Sequence, residues 1–376
     1  MPIRQTLFSL VLLNLLATQS LAQDSGPIGP SPYDFNTETW MQPFADDGLS
    51  WGGTSGVYVE SKDRIFVLQR GETQLPSPVP PEYTSFAGSL GWNVLRGRGR
   101  VWQNCIYVID SEGNLLEVWD QWDHLFAGTD GPGPHRIRMS PYDPEKRLWL
   151  VDETGHIIYV FSNDGTQLLM TLGEKNVAAK DENHFNQPQD VAFLPDGKFL
   201  IADGLGGNNR IIVRNADGSY RSEFGETGEG PGQFASVHAL AMGPEGNLYA
   251  LDRDLLRIQN FKQTATPGSS DYPRYEHIAT WPDLGMPLDI LVGEDSAWVT
   301  DLNPPKIVQF NLDGTRRYTW NLPVEGPHRW IEMHSLSVDS DGNLYGTDNQ
   351  AGRPQKLTPR FDAEPELILD RPYVPR

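Results

Sequence analysis

Apolar and polar residues alternate along short runs throughout this chain, and turns carrying Asp or Gly separate the runs. A period of two is the signature of a strand with one face buried. In the run from His238 to Met242 the first, third and fifth residues share a face, and a Pro-Glu-Gly-Asn turn leads into a second apolar run ending at Asp252. A third strand follows over Arg257 to Phe261, and a similar copy runs from His334 to Asp348. Amphipathic helical periodicity is scarce. Copies of the unit open at Ser55, His135, Gln189, His238, Leu288 and His334, at intervals of 80, 54, 49, 50 and 46 residues. The long first interval holds a proline-rich stretch, Gln74 to Glu82, read as a loop, and further strands around Val101 to Val118. A four-stranded propeller blade takes about 40–50 residues. The repeat therefore predicts an all-β, six-bladed β-propeller over residues 23–376 as a single domain. Asp-Gly pairs at Asp196 and Asp341 mark hairpin turns, and those at Asp164, Asp217 and Asp313 mark outer hairpins.

The first 22 residues break the pattern. Arg4 precedes an almost wholly apolar run from Leu7 to Ala17, and Ser20-Leu21-Ala22 has the small-x-small form of a cleavage site. That run is too short to span a bilayer, so residues 1–22 are expected to be a signal peptide and the protein secreted or periplasmic. Cys105, the only cysteine, lies in a strand-like run and is expected to be a buried hydrophobe, with no intramolecular disulfide available. The formal net charge of -20 is spread along the chain. It favours solubility and argues against nucleic-acid or anionic-membrane partners. A monomer acting on a small or peptide-like substrate is expected.

Candidate chemistry comes from the residues that open the repeats. The inner strand of a blade borders the channel, so its opening residue lies near the channel mouth. Histidines hold the second, fourth and sixth of these places: His135, His238 and His334. Alternate blades of a six-bladed ring are a third of a turn apart, so three imidazoles would converge on the axis. Three neutral nitrogen donors with a fourth position open suit a catalytic metal, zinc first, with iron, copper or nickel also compatible. The other reading is three unrelated channel histidines satisfied by hydrogen bonds. The glycine-rich segments Gly204 to Gly207 and Gly225 to Gly232 lack the strand-glycine-helix setting of a phosphate loop. Trp51, Trp92 and Trp330 could border a cleft, with core packing the default.

At these residues the chain resembles the peptidyl-α-hydroxyglycine α-amidating lyases (peptidylamidoglycolate lyases) and their bacterial relatives built of NHL-type repeats. The motifs carrying the resemblance are Leu68-Gln-Arg-Gly71, Gly133-Pro-His135, Leu172-Gly-Glu174, Asn183 to Pro188, Ala202 to Gly204 with Asn209 to Ile211, Glu229 to Phe234, Val237-His238 and Met333-His334. The resemblance implies a zinc held by His135, His238 and His334, with Arg70 as a catalytic arginine. It implies cleavage of a C-terminal α-hydroxyglycine into peptide amide and glyoxylate. Arg70 also reads as a structural ion-pair residue. Two departures stand out. Leu205 occupies the place of the family's catalytic tyrosine. Ser335 stands where the family has an aspartate for a structural calcium; Asp190 and Asp289 could serve instead, with ordinary turn or strand-end aspartates as the default reading. Two alternatives follow: a non-catalytic NHL-repeat binding module, and a calcium-dependent lactonase-like hydrolase.

Overall fold

Six four-stranded antiparallel sheets follow one another around a ring in the computed structural model. It describes residues 27–35, 40, 41, 44, 49–74, 99–128, 131–326 and 328–374. The expected signal segment, Trp92 and all of the proline-rich loop beyond Gln74 lie outside the described residues. The inner strands are Thr54–Ser61, Pro134–Met139, Pro188–Phe193, Val237–Met242, Pro287–Val292 and Met333–Val338. Each begins one residue before the opening residue read from the repeat. Blade 1 takes its outer strands, Ile106–Ile109 and Leu115–Val118, from the later part of the long first interval.

The ring closes through a segment that the repeat did not reveal. Blade 6 supplies three strands, and Tyr33–Phe35 pairs antiparallel with Pro354–Pro359 as its fourth. Segments far apart in the sequence thus share one sheet.

Period-two alternation places the core between blades. In blade 2, Leu148 and Leu150 join blade 1's Phe66 and Leu68, while Trp149 and Val151 join blade 3's Val191 and Phe193. The same division recurs at every blade-to-blade junction. Second strands are accordingly buried on both faces. Trp51 and Trp330 pack into these layers rather than lining a cleft. Cys105 is fully buried, and burial raises its thiol pKa, in keeping with a packing role.

In blades 2 to 6 the second strand ends on a buried aspartate, Asp152, Asp203, Asp252, Asp301 or Asp348. Asp203, Asp252, Asp301 and Asp348 hold the loop that enters the inner strand, whereas Asp152 holds its own turn through the Gly155 N–H. Asp348 accepts backbone hydrogen bonds from Ile331, Glu332, Gln350 and Ala351. Asp252 does the same for Ala235 and Ser236, and Asp301 for Gly285 and Met286. Removing such a carboxylate orphans buried N–H donors at about 1–3 kcal/mol each. Asp348→Ala should therefore lose at least about 3 kcal/mol of stability, read from urea unfolding. A loss within error of zero would mean that the loop is held by other contacts.

Candidate metal centre

The six opening residues share a backbone device. Ser55, His135, Gln189, His238, Leu288 and His334 each sit at a register shift, left without a ladder partner between two paired neighbours. A bulge of this kind bends the strand and re-aims the extra side chain. Repeated in six blades, it turns these side chains toward the axis at one end of the channel.

The three histidines meet there. Their ligand atoms lie within 4.8 Å of one another, and all three rings are buried. Ring centroids are 4.6, 4.9 and 5.3 Å apart, with interplanar angles of 80–89°. Each Nδ1 faces the carbonyl of an opening residue one blade further on: His135 to Gln189 at 2.8 Å, His238 to Leu288 at 2.7 Å, His334 to Ser55 at 2.7 Å. A carbonyl can only accept, so Nδ1 carries the proton and Nε2 keeps its lone pair for the axis. Burial first, then neighbouring positive groups, holds all three well below the ordinary imidazole pKa. Three neutral imidazoles oriented from behind match the donor set of a catalytic metal.

These shifts have a sign. In the unfolded chain the imidazoles titrate near 6.5, so below that pH the unfolded state binds protons that the folded state refuses. Metal-free protein should therefore be most stable above pH 6.5 and lose stability as pH falls through it. The slope should approach about 1.4 kcal/mol per pH unit for each histidine. Urea midpoints of chelator-treated protein between pH 8 and 5 test this, and a midpoint that does not fall would contradict it.

Arg70 lies beside the cluster, 3% exposed, with Nη2 3.4 Å from Glu153 Oε1. Its Nε is buried without a hydrogen-bond partner among the described residues. Glu153 places its other oxygen 3.6 Å from His135 Nε2 and accepts from Gln189 Nε2 at 3.2 Å. Arg70 is thus an ion-pair residue and a neighbour of the histidines at once.

Sequence reasoning missed Glu153, Arg253 and Glu332. Arg253 acts electrostatically on His238 and His334. Glu332 is held by Asn349 and Gln350, and burial raises its carboxyl pKa despite these bonds and the charge of Arg70. A signal existed for two of them. Residues 70, 153, 204, 253, 302 and 349 all follow the last paired residue of a blade's second strand. Arg70, Glu153 and Arg253 are the charged members of that register. Leu205 lies one residue beyond it in blade 3, its N–H directed at the Gln187 carbonyl.

Beneath the histidines the channel is filled by charge. Asp190 and Asp289 converge there, as a calcium site would require, but both are already ion-paired with Arg136 and Arg138. The residues present do not fit a calcium ion. The remaining five histidines have other partners: His124 and His184 bond within their own loops, His277 to Thr280, His156 accepts from the Gln187 N–H, and His328 lies against the Phe35 ring. The glycine-rich segment near Gly225 forms a short parallel ladder, Glu226–Thr227 with Gln233–Phe234, with no helix beside it.

A profile of the NHL repeat matches residues 185–213. The chain is 30% identical over 254 residues to the peptidylglycine alpha-amidating monooxygenase of Rattus norvegicus, covering 63% of this chain and 23% of that protein. It is 32% identical over 265 residues to peptidyl-alpha-hydroxyglycine alpha-amidating lyase 1 of Drosophila melanogaster, covering 62% of this chain and 46% of that protein. The matched region is about a quarter of the first relative and under half of the second. Among solved structures a streptogramin B lyase aligns with a TM-score of 0.50 at 12% identity, over 82% of this chain and 94% of that one. At that identity the likeness is one of fold. The resemblance to amidating lyases and the NHL-repeat propeller fold, both expected from the motifs, are borne out.

Proposed function

We propose that this chain is an exported, metal-dependent carbon–nitrogen lyase. Its substrate is a small amide or peptide-like molecule ending in an α-hydroxyglycine-type carbinolamide, and its products are an amide and glyoxylate. The observation that carries the reading is the convergence of three Nε2 lone pairs from alternate blades beside Arg70. The names of the relatives supply the reaction class.

His135, His238 and His334 would hold the ion, zinc by preference. When bound, such an ion lowers the pKa of a coordinated hydroxyl and polarises its oxygen. The chain's own residues do the rest. Arg70 Nε has an unused proton with which to anchor the substrate carboxylate. Leucine at position 205 can neither accept nor donate a proton through its side chain. Glu153 Oε2, beside His135 Nε2, accepts the hydroxyl proton in its place. The freed electron pair becomes the carbonyl of glyoxylate as the C–N bond breaks. The C–N pair leaves on the amide nitrogen, which takes the proton back from Glu153.

The test is glyoxylate release from an α-hydroxyglycine peptide by purified, metal-replete protein, beside elemental analysis. Turnover that chelation abolishes and zinc restores supports the reading. Protein without stoichiometric transition metal, or metal-bound protein that binds the peptide without releasing glyoxylate, overturns it. The second outcome would favour the binding-module alternative, which Leu205 and the Arg70–Glu153 pair also suit. The lactonase alternative needs carboxylate and amide ligands, and the one grouping of metal-capable side chains among the described residues is the three histidines.

A further inference from the structure

The charged layer under the histidines has an unusual construction. Arg136 starts on the inner strand of blade 2, is fully buried, and reaches across the channel. Its Nη1 donates to the His334 carbonyl at 3.2 Å and its Nη2 to the Leu288 carbonyl at 3.0 Å. The same Nη1 is 3.0 Å from Asp289 Oδ2, and its Nε is 3.9 Å from Asp190 Oδ1. One guanidinium thus gathers oxygens from blades 3, 5 and 6. Arg138 lies beneath, its Nη2 bonded to Asp190 Oδ2 at 3.0 Å and to Asp289 Oδ1 at 2.8 Å.

Without the Arg136 side chain, the oxygens it gathers are two carboxylates and two backbone carbonyls, with the Ser335 hydroxyl 3.0 Å from Asp289 Oδ2. That is an all-oxygen, doubly anionic set of the kind that binds a hard divalent cation. Two carboxylates cannot be buried on the axis uncompensated. Arg138 neutralises one of the two charges, and a second cation must supply the other.

We infer that the Arg136 guanidinium is a covalently tethered replacement for an axial divalent cation, and that it makes this propeller independent of calcium. The fixed fork geometry suits the role, because it delivers several donors to oxygens of separate blades from one planar group. Being part of the chain, it cannot be removed by chelation or dilution. It also closes the channel. On the side away from the histidines lies a cavity of about 440 Å³, walled by residues such as Val57, Leu240 and Leu336 and floored in part by Arg138 and Asp289. The inference does not depend on what the histidines hold.

The experiment is thermal unfolding in excess EGTA and in 10 mM calcium chloride, with free zinc buffered to the same value in both, on wild type, Arg136→Lys and Arg136→Ala. Wild type should shift by less than about 1 °C between the two conditions. Arg136→Lys keeps a cation and should also ignore calcium. Arg136→Ala should be destabilised in EGTA and regain about 5 °C or more in calcium. If it does not fold in EGTA, refolding with calcium should recover it. Three results overturn the inference: a wild type stabilised by calcium or purified with stoichiometric calcium, an Arg136→Ala protein as stable as wild type in EGTA, or a destabilised Arg136→Ala protein that calcium does not rescue. None of these outcomes bears on glyoxylate release or on transition metal at the histidines, so this inference and the proposed lyase function fail separately.

Discussion

His238→Ala should keep the propeller fold, lose stoichiometric transition metal and release no glyoxylate above background. His238 is 1% exposed and supplies one of three converging lone pairs. Two imidazoles related by a third of a turn remain, and they no longer surround an ion. Loss of an outer-shell partner alone costs 10–100-fold in metal affinity, so loss of a ligand should cost at least about 100-fold. The fold has reason to survive. The propeller core lies between blades, whereas His238 holds the channel through one hydrogen bond to Leu288. Far-UV circular dichroism should match wild type while elemental analysis and the glyoxylate assay both fall. Equal metal in variant and wild type would refute the assignment of the ligands.

Glu153→Gln should separate chemistry from metal binding. The substitution preserves size, and its amide oxygen can keep the bond from Gln189, but an amide does not accept a proton at neutral pH. General-base catalysis contributes about 10²–10⁴-fold, so kcat should fall by about that factor with metal content unchanged. KM for a carboxylate-bearing substrate should not rise, because Arg70 loses its competing partner 3.4 Å away. A purely structural Glu153 would behave differently, with lower thermal stability or lower metal content and near-normal kcat per bound metal. That pattern would remove Glu153 from the mechanism and leave the proton without an acceptor on this chain.

Both predictions start from positions whose legibility differed. His135, His238 and His334 were readable because the repeat has a fixed register and histidine is rare enough for strict alternation to stand out. Arg70 came from the motif Leu68 to Gly71. Glu153 and Arg253 occupy the equivalent position in blades 2 and 4 and were passed over. A charged residue after a strand-ending aspartate reads as an ordinary turn residue until the register of the second strands is aligned. Asp190 and Asp289 were legible as residues that follow blade openings, but the arginines that pair with them were not. Arg136 follows a candidate ligand and looks like any strand arginine, and nothing in linear sequence says that its side chain crosses the channel.

What the chain determines by itself is local and periodic. Alternation at period two, Asp-Gly turns and a recurring unit specify strands, hairpins, the number of blades and the faces that pack together, because each depends on residues close in sequence. What only the tertiary structure decides is convergence. The closing strand Tyr33–Phe35 joins segments from opposite ends of the sequence, and the carbonyl behind every imidazole and the guanidinium spanning the axis join residues from different blades. Such contacts exist only once the ring has closed, since closure alone brings six separately specified sheets to a common centre.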